Sequence, residues 1–554
     1  MAENNRRPYS SNRFSKELDE IYERREAEAA RKKRQAANRG SSSRRTSSGR
    51  KTSPGKRKGS GSSYNRQRTT GSGSYTRKRT GTGSSYSRQR SAAGRRQSAG
   101  RRSRRRRDPR GIINTVIAVA VLVLVLAGAF KIYQIYRAHM ADLEKEAIRQ
   151  ELLDQAALMA QGYDYDGAIA KAKEIEGYKN DTEAREAVAG WKEAKKGLVE
   201  FKAKDVTHIF YHTLVRDTKL AFECDPGIAE GFKKWMTTIE EFKKITQKMY
   251  DDGYVLCSVY DFFDEVYDEE GVPHFTGKSV FLPEGKKPFV LSLDDLSYYH
   301  TYTGHGMASK LVLDEYGKVT CEYELEDGTV ERGSYDCVPL LNDFMEEHPD
   351  GAYHGARGTI ALTGYNGIFG YRTDESYVTR KDLDADKVEW LDAHPDFDRS
   401  VEIDGATKIA KELKAEGWDF ASHTWGHIRV GNASLDKIKT DTEKWKKNVE
   451  PIIGATECII FAHGQDLSPT DEYNTKENKK YQYLASKGFH IFLNVDSHQK
   501  TMSVHDLYVH GGRRNLDGYR LWNDAHGYSE WTSDLFDASE MLDPRRKDMP
   551  DQKE

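Results

Sequence analysis

The stretch that decides the fold is "KPFVLSLDD", residues 287–295, an apolar run that ends in two adjacent aspartates, Asp294 and Asp295. An apolar run of this length between polar segments is typical of a buried strand. In regular strand geometry, neighbouring side chains point to opposite faces, but at a junction between strand and loop both carboxylates can turn into one site. The alternative is a solvated turn in which one aspartate caps a helix.

Six further apolar runs of similar length surround this one, and amphipathic segments such as "ATKIAKELKAEG" (406–417) lie between several of them. Strands that alternate with helices indicate βα units, and seven strands favour a barrel. In such barrels the chemistry takes place at the carboxyl ends of the strands. The six runs are "VTHIFYHTLV" (206–215), "GYVLCSVYDFF" (253–263), "GTIALTGYNG" (358–367), "GWDFASHTWGH" (417–427), "ECIIFAHGQD" (457–466) and "GFHIFLNVDS" (488–497).

Two histidines, His423 and His427, stand four residues apart in "ASHTWGH" (421–427), where a strand is predicted to give way to a helix. On a helix, residues i and i+4 share a face, so both imidazoles could reach one ion. The alternative is a pair of structural histidines. One carboxylate and two imidazoles form a set that suits a divalent ion with open positions. The second carboxylate would then be free to act as a base.

The motifs "SLDD" (292–295), "SHTWGH" (422–427) and "FAHGQD" (461–466) resemble those of the polysaccharide deacetylases of the NodB-homology group, carbohydrate esterase family 4. The resemblance extends over about residues 205–540, and residues 355–377 look like the membrane-anchored form found in Gram-positive anaerobes. It implies a distorted (β/α)7 barrel. It also implies that Asp294 is the general base and that the metal ligands are Asp295, His423 and His427. The expected ion is Zn²⁺, with Co²⁺, Ni²⁺, Mn²⁺ or Fe²⁺ as alternatives.

The sequence departs from the family pattern at two motifs. Leu296 follows the aspartates where the family has glycine, and residues 461–464 replace the family's R-x-P-Y-G. The resemblance implies that a backbone N–H near His463 helps to hold the oxyanion. The arginine that normally orients the base would then come from Arg513 or Arg514. The general acid stays open among His463, His505 and His510, for each of which a surface or structural role is the alternative. The insert at residues 311–336 is predicted to form a hairpin beside the cleft.

The N-terminal segment is strongly basic. Residues 1–110 contain 34 Lys and Arg against 8 Asp and Glu, a net charge of +26, in a chain whose total charge is zero. The unit Ser-Tyr-x-Arg-x-Arg recurs every 11 residues from Ser63. Because the segment has few aliphatic side chains, it is predicted to be disordered in the cytoplasm. It would contact anionic lipid or nucleic acid, or serve as a solvated tail that orients the chain.

Residues 112–130 contain no charge and would span about 28 Å as a helix, close to the thickness of a bilayer's hydrocarbon core. We therefore predict a single transmembrane helix at residues 111–131, with the basic N-terminus inside and the rest of the chain extracellular. A cleaved signal peptide is the rival interpretation, since residues 127–129 are small, but 110 residues are too many for its n-region.

After the predicted membrane helix, residues 132–204 have the composition of a short helical spacer that resembles one tetratricopeptide unit. Residues 205–554 would form the catalytic domain. The five cysteines contain no CxxC pair and their number is odd, so a disulfide framework is not expected, although Cys321 and Cys337 could face each other.

The sequence therefore predicts a membrane-anchored, metal-dependent hydrolase that removes N-acetyl groups from peptidoglycan or another N-acetylglucosamine polymer. Three alternatives remain: an O-deacetylase on acetylated polysaccharide, a non-catalytic barrel that binds glycan, and a membrane-tethered nucleic-acid binder. Aromatic side chains expected at the rim of the site, where they would stack on sugar rings, are Tyr298, Tyr299, Tyr365 and Trp425.

Overall fold

The structure is a computed structural model that describes residues 109–381, 383–468, 472–495 and 502–549. The predictions made for the basic tail at residues 1–108 lie outside these residues. The described residues divide into two compact units between Asp142 and Leu143, and each unit is considered by itself.

Helix α1 (Pro109–Gln161) contains 53 residues and includes the whole apolar run. The large apolar side chains of residues 112–130 are exposed, and within the described residues α1 is the one helix long and apolar enough to cross a membrane. The helix continues through residue 131 without a break and ends at Gln161, within the predicted spacer.

Two short helices follow, α2 (Tyr165–Ala172) and α3 (Thr182–Ala194). An aspartate caps each of them, because the Asp164 side chain accepts the N–H of Gly167 and the Asp181 side chain accepts that of Ala184. The end of α1 packs against both helices through a small cluster of Ala156, Ile169, Ala172 and Val188.

The rest of the chain contains sixteen strands and twelve helices in its described residues. The strands are β1 (Leu198–Lys202), β2 (Thr207–Tyr211), β3 (Tyr254–Cys257), β4 (Phe263–Tyr267), β5 (Pro273–Gly277), β6 (Ser279–Pro283), β7 (Lys287–Asp294), β8 (Lys310–Leu313), β9 (Val319–Glu324), β10 (Val330–Gly333), β11 (Thr359–Leu362), β12 (Asp419–Ser422), β13 (Cys458–Ile460), β14 (Ile491–Val495), β15 (Met502–His505) and β16 (Tyr508–Asn515). The helices are α4 (Thr218–Phe222), α5 (Pro226–Trp235), α6 (Ile239–Asp251), α7 (Cys337–Glu347), α8 (Ser376–Thr379), α9 (Ala385–Ala393), α10 (Arg399–Ala415), α11 (Leu435–Asn448), α12 (Glu450–Ile453), α13 (Lys479–Ser486), α14 (Gly518–Ala525) and α15 (Ala538–Met541).

Seven parallel strands form a closed barrel in the order β11, β12, β13, β14, β16, β2, β7, and β7 pairs with β11 to complete the ring. Two more strands extend this sheet: β3 runs parallel to the start of β7, and β15 runs antiparallel to β16. Alternate residues of the ring strands pack together in its interior, among them Val290, Ala361, Ala421, Leu493 and Val509.

The predicted number of barrel strands is confirmed, but the predicted membership is wrong at one position. The run at residues 253–263 supplies β3, which pairs with β7 outside the ring, and β16 is the seventh member. Sequence reasoning missed β16 because its stretch, "YVHGGRRN", holds two glycines and two arginines. Both arginines are nevertheless buried. A Cβ on Gly511 would lie 3.0 Å from the Leu493 side chain, so the strand packs closely there.

The insert at residues 311–336 forms a three-stranded antiparallel sheet, in which β9 lies between β8 and β10. The predicted hairpin corresponds to β9 and β10, and β8 is an additional strand. All five cysteines are free thiols, including Cys321 on β9 and Cys337 at the start of α7.

Candidate metal and catalytic site

The two aspartates lie where β7 ends and both are buried. Asp294 is the last residue of the strand, and Asp295 has a positive φ of 60°, which is uncommon for a residue with a side chain. This left-handed residue interrupts the alternation of the strand. Both carboxylates therefore face the same histidine, because His423 Nε2 lies 3.9 Å from Asp294 Oδ2 and 3.9 Å from Asp295 Oδ1.

Arg513 of β16 binds Asp294 with two parallel hydrogen bonds. Its Nη1 donates to Oδ1 at 2.7 Å and its Nη2 donates to Oδ2 at 3.0 Å. The same guanidinium donates to the Ser292 hydroxyl and to the Asn494 carbonyl, and it lies over the ring of Phe210. Burial alone would raise the pKa of the Asp294 carboxyl, but the charge of Arg513 holds this pKa well below its ordinary value.

His423 is buried and oriented by a backbone carbonyl. Its Nδ1 lies 2.8 Å from the carbonyl oxygen of Ile460, so Nδ1 carries the proton and Nε2 presents a lone pair to the carboxylates. Burial lowers the pKa of His423 against the effect of the nearby aspartates, which favours the neutral ring. His427 is partly exposed, and its Nε2 lies 3.5 Å from Asp295 Oδ2.

The prediction that the two histidines stand on a helix is wrong. Residues 423–430 form a loop after β12, and α11 begins only at Leu435. The rings converge because Thr424 and His427 both have positive φ angles, 63° and 51°. Asp441 stabilises this conformation, since its carboxylate accepts the backbone N–H groups of Trp425 and Gly426.

Asp295, His423 and His427 fit a divalent ion. One ligand atom from each residue lies within 4.8 Å of the other two. Ligands bound to a tetrahedral Zn²⁺ at about 2.1 Å lie about 3.4 Å apart, close to the 3.5 and 3.9 Å that separate the imidazole nitrogens from the Asp295 oxygens. The structure thus brings together the three residues that the sequence predicts as metal ligands.

Tyr299 orients the carboxylate of Asp295 with a hydrogen bond. Its hydroxyl lies 2.5 Å from Asp295 Oδ1, to which it donates, and 2.6 Å from the Thr363 hydroxyl. Tyr365 stacks on Tyr299 with ring centroids 5.1 Å apart. Tyr298 and Tyr299 are both buried, and Tyr298 donates to Asp336, so the prediction that these two lie at the rim is wrong.

Of the histidines predicted as general-acid candidates, His463 comes closest to the site. Its ring lies 4.3 Å from that of His427, and its Nε2 is 3.2 Å from the His427 carbonyl oxygen. Burial, followed by the charge of His427, lowers the pKa of His463 to about 4.

His510 and Arg514, both predicted as site residues, point to the other side of β16 from Arg513. His510 Nε2 lies 2.7 Å from Asp466 Oδ2. Arg514 binds the carboxylate of Asp534 and the backbone carbonyl of Trp531. The ring of His505 stacks on Tyr508. The structure does not bring these three residues to the paired aspartates.

Sequence reasoning missed His212, which directly follows β2. Tyr211 pairs with Leu293 in parallel register, so His212 occupies the position beside Asp294. Against the effect of burial, electrostatic interactions with His427, His423 and His212 lower the pKa of Asp295. The sequence "THIFYH" (207–212) contains the signal that could have identified it. An ionisable residue, His212, follows this apolar run, just as Asp294 and Asp295 stand at the end of theirs.

Comparison with known proteins does not identify the family of this chain. No family model matches the sequence, and no curated protein matches it. Among solved structures, the chain is similar to the Streptococcus pyogenes deacetylase PplD in complex with acetate. The TM-score is 0.29 at 13% identity, over 59% of this chain and 98% of that one. A TM-score of this size does not establish a common fold, so function has to be inferred from the site.

Proposed function

We propose that this chain is a metal-dependent hydrolase that removes acetyl groups from the amino groups of a polysaccharide. The observation that carries the proposal is the convergence of Asp295, His423 and His427 beside a second carboxylate, Asp294. The first three residues could hold an ion, so Asp294 is not needed as a metal ligand. An ion bound by two imidazoles and one carboxylate, for which Zn²⁺ is the best match, supplies Lewis acidity for the hydrolysis of an amide.

Asp294 is the proton acceptor in this proposal. Its pairing with Arg513 keeps the carboxylate ionised, and the two hydrogen bonds fix its orientation. A carboxylate held in one orientation can take the proton from the water that attacks the acetyl carbonyl. Arg513 thus performs, from β16, the orienting role of the arginine that is missing from residues 461–464.

His212 is the proton donor that the geometry favours. Hydrolysis of an N-acetyl group breaks the bond between carbonyl carbon and nitrogen, and the departing nitrogen needs a proton to leave as an amine. His212 lies beside Asp294 at the carboxyl end of the barrel, whereas His510 is bound to Asp466 on the other side of β16. Acetate and a free amino sugar are the products.

The amino-acid sequence supports placing this reaction at the outer surface of a cell. Helix α1 contains an apolar run long enough to cross a bilayer, and the residues before it are strongly basic. An anchored enzyme of this orientation would meet the glycans of the cell wall.

Replacing Asp294 with asparagine tests the proposed base. We expect Asp294→Asn to lower acetate release from N-acetylglucosamine oligomers about 10²-fold or more, because asparagine cannot accept the proton. Zinc content, measured by mass spectrometry, should stay at the wild-type level, since Asp294 is not a proposed ligand. The matched control is Asp534→Asn, which removes the carboxylate that pairs with Arg514 on the other side of β16. Equal acetate release by wild type and Asp294→Asn would contradict the assignment.

The role of His212 is tested by substrates with different leaving groups. We expect His212→Asn to slow amide hydrolysis about 10²-fold, while hydrolysis of 4-nitrophenyl acetate falls much less, because the nitrophenolate leaves without a proton. His510→Asn serves for comparison and should leave the ratio of the two rates unchanged. If His510→Asn changes this ratio and His212→Asn does not, the proton donor has been misassigned.

The proposed topology is tested on intact cells that produce the full chain with a tag at each end. Protease added outside should remove the C-terminal tag and leave the N-terminal tag, because only the part after α1 would be exposed. Protection of the C-terminal tag would rule out an extracellular site.

A further inference from the structure

One buried arginine differs from the others in having no acidic partner. The described residues include four buried arginines: Arg372, Arg513, Arg514 and Arg546. Three of them bind both oxygens of a carboxylate, Arg513 that of Asp294, Arg514 that of Asp534 and Arg546 that of Glu241. Arg372 forms no ion pair with any described carboxylate, although only 6% of it is exposed.

Backbone oxygens hold one nitrogen of the Arg372 guanidinium. Nη1 donates to the carbonyl of Tyr298 at 2.9 Å and to that of Asn366 at 3.3 Å. Nε and Nη2 have no hydrogen-bond partner among the described residues. Glu402 accepts the backbone N–H of Arg372, and the centroid of the Trp390 ring lies 6.0 Å from the guanidinium carbon. Because a buried guanidinium with no directly bound carboxylate is costly, these free N–H groups point to an anion supplied from outside the protein.

Arg372 lines a small cleft with an accessible volume of about 20 Å³. Three tyrosines (Tyr298, Tyr299 and Tyr302) form its wall. Glu324 is exposed at this cleft and is its one acidic lining residue. Burial, followed by the charges of Arg372 and Lys387, lowers the pKa of His300 to about 3.

The cleft adjoins the metal site through one side chain. Tyr299 lines the cleft and also donates its hydroxyl to Asp295 Oδ1. Tyr299 thus borders both the cleft and a proposed metal ligand. A group bound at Arg372 would accordingly be carried by the sugar being deacetylated or by its neighbour.

We propose that Arg372 binds an oxyanion, a phosphate or a carboxylate, carried by the acetylated glycan. The inference rests on the proposed function and narrows its substrate class to anionic glycans. The free Nε and Nη2 of the guanidinium form a fork that matches two oxygens of such a group.

The first test measures anion binding without catalysis. Inorganic phosphate is titrated calorimetrically into the full-length protein in detergent. The protein carries His427→Ala, which removes a proposed metal ligand, so that phosphate cannot bind through a metal ion. Adding Arg372→Gln should weaken phosphate binding about tenfold or more. The control, Arg357→Gln, removes a partly buried arginine that also binds backbone oxygens but does not line the cleft, and binding should be unchanged. Equal phosphate binding with and without Arg372 would overturn the proposal.

The second test uses His427-intact protein and measures acetate release from three glycans: a neutral N-acetylglucosamine oligomer and the same oligomer bearing a phosphate or a lactyl carboxylate. Arg372→Gln should raise KM about tenfold for whichever charged oligomer binds at Arg372 and leave the KM for the neutral oligomer unchanged. The two charged arms distinguish phosphate from carboxylate. An equal rise in KM for all three glycans would show that Arg372 only stabilises the loops whose backbone oxygens it binds, and would overturn the proposal. Phosphate binding without acetate release from any glycan would instead contradict the proposed hydrolase and support the anion site.

Discussion

Strand β7 is the constraint on which the rest of the site depends. It pairs with β2 on one side and β11 on the other, and the second pairing closes the ring of seven parallel strands. Because all ring strands run in one direction, their carboxyl ends meet at one edge. The two aspartates that end β7 thereby come next to His423 after β12 and His212 after β2, although these residues are far apart in the sequence.

The pairing of Asp294 with Arg513 is better explained by function than by stability. Removing two charges from water is costly, and a buried ion pair often contributes little net stability. Breaking such a pair by removing one partner, however, typically costs about 3–5 kcal/mol. The arginine thus keeps a carboxylate ionised inside the protein, where burial alone would raise its pKa. Tyr299 and the Ile460 carbonyl orient Asp295 and His423 in a similar way.

The apolar runs predict six of the seven barrel strands, because parallel strands buried on both faces form nearly continuous apolar runs. The residues of the expected metal site were also identifiable, since their motifs stand at the ends of those strands. The conformation of the loop around His423 and His427 was not predictable, because it depends on the left-handed backbone of Thr424 and on a carboxylate from the following helix, Asp441. Strand β16 was missed because its arginines are buried by partners, Asp294 and Asp534, that sequence spacing does not reveal.

The central claim is that the site hydrolyses N-acetyl groups with the help of a bound divalent ion. The most direct measurement is acetate release from an N-acetylglucosamine polymer by the full-length protein, before and after removal of metal with a chelator. We predict that release stops when the metal is removed and returns on addition of one equivalent of Zn²⁺. Acetate release that is unaffected by complete removal of metal, or its absence with every divalent ion tried, would contradict the account.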